Sequence, residues 1–107
     1  MVAHRFQVLY TSYAQQRRKE IYFFEIKLNG VKYARRVQKA IGMASRKLRT
    51  FPEACPNFLD HDADFEIKYT KALDYKILFR VIKSSSEVII LTLRNDAENP
   101  DTIKSEL

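Results

Sequence analysis

The chain has 107 residues, of which 46% are apolar, with one cysteine, two histidines and a formal charge of +6. That suffices for one small domain with its own core and leaves no room for a second. There is no apolar run of about 18 residues, no leader with a cleavage site and no Gly/Ser/Pro-rich tract, so a soluble cytoplasmic protein without a membrane span is expected. Cys55, His4 and His61 fall short of the usual four-ligand zinc set, and one cysteine cannot close a disulfide, so no metal or other cofactor is expected.

Charge is unevenly distributed. Residues 1–51 hold 12 Lys/Arg against Glu20 and Glu25, whereas residues 52–107 hold 7 against 11 acids, giving +10 and −4. Such asymmetry suits an acidic partner, either nucleic acid or an acidic protein segment, unless it is only a solvated helix face rich in lysine.

In chain order, "FQVLY" alternates Phe6, Val8 and Tyr10 on one side, the period of a half-buried strand. "TSYAQ" then offers Ser12 with Gln15 three residues on, a capping-box start for a helix over Tyr13–Leu28. Tyr13, Ile21, Phe24 and Leu28 revisit one face of that helix and form its expected core stripe, with Arg17 obliged to snorkel or find a partner. Gly30 in "LNG" can take the backbone that ends a helix. A second helix follows, with Ala34, Val37, Ile41, Ala44 and Leu48 at steps of three and four and Arg35, Arg36, Lys39, Arg46 and Lys47 on its other faces. The small Ala34 and Ala44 permit close approach, so the helices should form an antiparallel hairpin.

"RTFPEACP" closes the second helix, because Pro52 and Pro56 disfavour helical geometry at Phe51 and Cys55. Phe51 should add one step to the apolar stripe. Cys55 sits beside the negative end of that helix, where a thiolate is disfavoured, and reads as an ordinary half-buried thiol. "DHDADFE" spaces Asp60, Asp62 and Asp64 like calcium-loop ligands, but Phe65 and Lys71 replace the required glycine and glutamate, so it reads as a solvated loop.

Three strands follow in "DFEIKY", "YKILFRVI" and "EVIILTL", linked by hairpin-length connections, and the last is apolar enough to be covered on both faces or to lie centrally. Beyond Leu93 the chain turns polar. Residues 1–96 are expected to form the single domain and residues 97–107 a mobile tail. The fold class is α+β: an N-terminal strand and a two-helix antiparallel hairpin packed on an antiparallel sheet of about four strands (β-α-α-β-β-β).

With "YARRVQKAIGMASRKLRTFPEACP", then "YKILFRV", a short hairpin and "VIILTLRND" in that order, the chain resembles the RelE/ParE superfamily of type II toxin–antitoxin toxins, from the first strand to about Asp96. The resemblance implies a toxin of the plasmid-stabilisation type, neutralised by a cognate antitoxin in a hetero-oligomer and acting on one of two targets. Ribosome-dependent mRNA endonucleases of the superfamily need a basic cluster with a late tyrosine or histidine. Lys68 and Lys76 fall on two of their basic positions and, with Arg94, which stands near where the family often has histidine, are the candidate catalytic residues, but Glu66 stands where some of those nucleases have a lysine and no Tyr or His follows Tyr75. The ParE-like branch poisons DNA gyrase without bond-making residues, and the long hairpin and proline-ended second helix resemble it more closely. A basic nucleic-acid-binding module without toxicity is the third reading. For the antitoxin, the expected contacts are Tyr22 and Phe23, which lie off the main stripe of helix one, with Arg35, Arg36, Lys39, Arg46 and Lys47 attracting an acidic segment.

Overall fold

The computed structural model describes residues 5–59 and 65–96. Strand β1 (Gln7–Tyr10) leads into α1 (Ser12–Asn29) and α2 (Val31–Lys47); a 3₁₀ turn (Pro52–Ala54) precedes β2 (Asn57–Leu59), β3 (Ile67–Ala72), β4 (Tyr75–Ile82) and, after a second 3₁₀ turn (Lys83–Ser85), β5 (Glu87–Asn95). The five strands lie in the order β1-β5-β4-β3-β2. The expected α+β architecture with a helical hairpin on a sheet is present, and β5 lies inside the sheet as its apolar sequence requires. Two features differ from expectation. β1 runs parallel to β5, because two antiparallel helices return the chain to the end of the sheet where β1 started, so the sheet is mixed. The three-residue β2 adds a fifth strand too short for any periodicity to reveal.

Alternation along β4 gives the sheet two faces. Tyr75, Ile77 and Phe79 turn toward the helices and join Val88, Ile90 and Leu93 of β5 with Ala14, Ile21, Val37 and Ile41 in the main core. Leu78 and Ile67 point the other way, into a small second cluster with Phe58, Phe65, Tyr69 and Leu91. A bulge between Leu78 and Phe79 in the pairing with β5 shifts the register there.

α2 follows its sequence pattern: Ala34, Val37, Ile41 and Leu48 are buried, with Ala44 half-buried. α1 does not. Of its expected stripe Ile21 is buried, but Tyr13, Phe24 and Leu28 are 41%, 52% and 62% exposed, and the buried face is Ala14, Ile21 and Glu25. The aromatic stripe lies one step round the helix from the true core face, which carries a small residue and a carboxylate that an apolar period passes over. The helix start also moves by one residue, since Thr11 is the cap and its hydroxyl accepts from the amide of Ala14 at 3.0 Å. Gly30, at φ 89°, ends α1 and begins α2 in a single residue, a backbone that a side chain would strain.

Phe51 is likewise turned outward. It adopts φ 57°, the left-handed region, and is 74% exposed, while Pro52 beside it is buried. The reversal that tucks Pro52 under the end of α2 aims the Phe51 ring at solvent instead of prolonging the stripe. Asp60, Asp62 and Asp64, and the tail 97–107, lie outside the described residues.

Candidate functional site

Two places gather the sequence-predicted residues. The first is the edge of the sheet. Among the described residues β1 ends the strand order and pairs with β5 on one side only. Its other side opens into a groove of about 1040 Å³ between Val8, Leu9 and Tyr10 and the α1 residues Gln15, Arg18, Lys19, Tyr22 and Phe23, with Gln38 contributed by α2. Tyr22 and Phe23 meet edge to face at 5.6 Å, and Phe23 remains 66% exposed.

Arg18 fixes the groove's floor. Its Nε donates to Gln38 Oε1 at 2.9 Å, its Nη2 to the Gln38 carbonyl at 3.1 Å and its Nη1 to the Tyr10 hydroxyl at 3.3 Å, while Gln38 returns a bond to the Arg18 carbonyl at 3.1 Å. The Tyr10 hydroxyl also bonds Ser45. One guanidinium therefore ties both helices to β1. Gly42 makes room for it, since a Cβ there would lie 3.2 Å from Arg18 Nη2.

All five basic residues predicted on α2 are exposed, but they do not form one patch. At about 100° per residue, Arg35, Lys39 and Arg46 fall on the side adjoining α1 and the groove, whereas Arg36 and Lys47 turn roughly a quarter-circle away. Three of them are thus placed to extend the groove's positive rim.

The second place is the sheet. Lys76 and Arg94 are cross-strand partners on the face away from the helices. The Lys76 ammonium lies 5.6 Å from the Phe58 ring centre and 5.4 Å from that of Tyr69, and 3.5 Å from Asp96, which also pairs with Lys71 at 2.7 Å. The hydrogen bond from Lys71 holds the Asp96 carboxyl below its usual range. Arg94 is buried, as is Thr92 two residues before it.

Lys68 does not join them. It pairs across the sheet with Phe79, a residue of the helix-side core, so it belongs to the opposite face. Its ammonium lies 3.0 Å from the Cys55 carbonyl, 3.0 Å from Asn57 Oδ1 and 2.9 Å from Glu66. Three donors meet three acceptors, so Lys68 acts as a clamp between the 3₁₀ turn, β2 and β3. Of the three candidate nuclease residues, the fold brings together two.

Cys55 is half-buried beside this clamp. Burial pushes its thiol up, and the Lys68 charge offsets that only in part, so the thiolate is not favoured. "RTFPEACP" is a helix stop. Elsewhere Glu25, buried in α1, accepts from the Tyr75 hydroxyl at 2.5 Å and from Asn29 at 2.7 Å. Arg17 finds the partner it needed, donating from Nε to the Leu93 carbonyl at 3.2 Å and from Nη1 to Glu20. Among the described residues no group of three His, Cys, Asp or Glu could hold a metal ion, and no helix is long and apolar enough to cross a membrane.

Sequence reasoning missed Leu9, Arg18 and Gln38 as parts of the groove. Leu9 is the outward residue of the first strand's alternation, a signal readable only once that strand is known to lie at the edge. Nothing in the sequence singles out Arg18 or Gln38 among the many polar helix positions.

No family model matches the chain, nor does any curated protein. Solved structures do match. The chromosomal ParDE toxin–antitoxin system from P. aeruginosa aligns with a TM-score of 0.71 at 17% identity, covering 87% of this chain and 98% of the other. The toxin–antitoxin complex RelBE2 from Mycobacterium tuberculosis gives 0.65 at 18% identity over 88% and 94%. A mutant of the E. coli toxin RelE in the free state gives 0.63 at 13% identity over 95% and 93%. The chain has the RelE/ParE fold.

Proposed function

We propose that this chain is the toxin of a type II toxin–antitoxin pair, that it acts on DNA gyrase, and that an acidic antitoxin segment neutralises it by covering the groove between β1 and α1. The observation that carries the toxin reading is the groove itself, in a chain of this fold. An unpaired strand edge offers backbone hydrogen bonds to an added strand, Tyr22 and Phe23 offer aromatic anchors, and Lys19 with the rim of α2 offers positive charge. An acidic segment that folds on binding uses all three, the charge raising the association rate and the aromatics retaining the complex.

Gyrase is favoured over mRNA cleavage by the absence of a tyrosine or histidine late in the chain. Cutting RNA requires a group to protonate the leaving oxygen. Lys76 and Arg94 can neutralise phosphate charge, but Lys68 is held on the other face by three acceptors. No Tyr or His follows Tyr75. A poison that works by binding needs none of these groups.

Controlled expression in a bacterial host tests the reading. DNA breaks, filamentation and intact transcripts are expected. Codon-specific cuts in ribosome-bound mRNA, abolished by replacing Lys76 or Arg94, would establish the nuclease reading, which the adjacency of those two residues favours. An absence of any growth defect would leave the basic nucleic-acid-binding module.

A further inference from the structure

Arg80 stands at the far end of β4 from Lys76. Its guanidinium stacks on the Phe65 ring at 4.0 Å, and its Nε is buried without a hydrogen-bond partner. A buried donor left unmade is costly, and an acceptor that reached this guanidinium would relieve that cost. Around it lies a cavity of about 330 Å³ lined by Glu53, Phe65, Glu66, Lys68, Arg80, Val81 and Lys83. The neighbouring cations are already matched, Lys68 with Glu66 at 2.9 Å and Lys83 with Glu53 at 3.3 Å. Among the described residues that line the cavity, Arg80 is the cation without a matched carboxylate.

We propose that this cavity at the end of β4 binds a small phosphorylated molecule of the nucleoside-monophosphate class, with its phosphate held by Arg80 and Lys83. Stacking on Phe65 fixes the plane of the guanidinium and so pre-organises its fork for two oxygens of one anion. Lys83 is 76% exposed on its side chain and among the described residues pairs with Glu53, so it can swing to a second phosphate oxygen, which suits a dianion better than a carboxylate. Phe65 and Val81 supply an apolar wall. Glu53 and Glu66 can accept hydrogen bonds from hydroxyl or amino groups on the body of the ligand. The volume lies near the lower end of small-molecule pockets, roughly 300–1,000 Å³, which fits a monophosphate and not a larger cofactor. This site is separate from the groove beside β1 and does not rest on the toxin reading.

The test is an amide NMR titration of the full chain with adenosine 5′-monophosphate, inorganic phosphate and adenosine. The monophosphate and, more weakly, phosphate should shift residues 65–68 and 80–83 to saturation, and adenosine should not. Arg80→Gln should weaken monophosphate binding by about tenfold or more, as loss of a charge-assisted contact does. Lys83→Gln, at an exposed position that cannot unfold the chain, should weaken it by about two- to fivefold, and it decides the matter if Arg80→Gln does not fold. Several results would overturn the proposal: no saturable shift at millimolar ligand, shifts confined to the basic residues of α2, or binding indifferent to the substitutions. An RNA oligomer without a terminal phosphate that binds the same residues more tightly would also overturn it, assigning the cavity to a nucleic-acid backbone.

Discussion

Replacing Tyr75 by phenylalanine removes one hydroxyl from the junction of α1 with the sheet and leaves the ring in place. Tyr75 is 2% and Glu25 5% exposed, and the lost bond leaves the carboxylate with Asn29 as its remaining side-chain partner of those described above. A hydrogen bond to a charged group contributes about 1.5–3 kcal/mol, and a buried oxygen left unmatched adds a desolvation penalty, so a loss of about 2–3 kcal/mol is expected. For a domain of this size that lowers Tm by about 10–20 °C. Urea denaturation followed by circular dichroism at pH 7 measures it, with the denaturant slope unchanged. The pH dependence adds a second check. Burial first, then the bond to Glu25, raises the Tyr75 pKa above its ordinary 10.0. The unfolded tyrosine therefore ionises before the folded one. Its stabilisation is complete below pH 10 and falls by at most about 1.4 kcal/mol per pH unit above it, until the folded group ionises too. The variant lacks this loss, so the two stability curves should converge above pH 10. A difference under about 0.5 kcal/mol at neutral pH, or curves that stay parallel to high pH, would refute the assigned role of the pair.

Lys68→Gln should destabilise the chain by about 1–2 kcal/mol, loosening the 3₁₀ turn from β3, without removing toxicity at a temperature where the variant folds; growth assays beside thermal melts distinguish this from a catalytic lysine. Tyr22→Ala and Phe23→Ala should each weaken binding of the cognate antitoxin by about tenfold or more with little change in Tm, and raised salt should slow association; calorimetry and stopped-flow mixing report the two effects. Cys55→Ser should alter stability by less than about 1 kcal/mol and leave toxicity unchanged, whereas a folded but inactive variant would make "RTFPEACP" a functional site.

How much of this was legible depended on whether a signal was local. α2 could be read from its sequence because every buried position carries an apolar or small side chain at helical spacing, and β4 because strict alternation survives along it. α1 misled, since its buried face includes Glu25, whose partner Tyr75 is 50 residues away, and of its expected stripe Ile21 is buried while Tyr13, Phe24 and Leu28 are exposed. The parallel pairing of β1 with β5 is a property of the whole topology. The basic candidates illustrate the same limit: the family resemblance groups Lys68 with Lys76, but the hairpin register places them on opposite faces. Arg94 and Lys76 meet only because two strands that are adjacent in sequence pair in a particular register.

The gyrase reading proposed above rests on the missing late tyrosine or histidine. Its most direct measurement adds the purified chain to DNA gyrase with supercoiled DNA and, in parallel, to ribosomes programmed with a defined mRNA. The account predicts accumulation of cleaved DNA–gyrase complexes, suppressed by the cognate antitoxin but not when Tyr22 and Phe23 are both alanine at limiting antitoxin, with the mRNA uncut. Gyrase unaffected while the ribosome-bound mRNA is cleaved would contradict it.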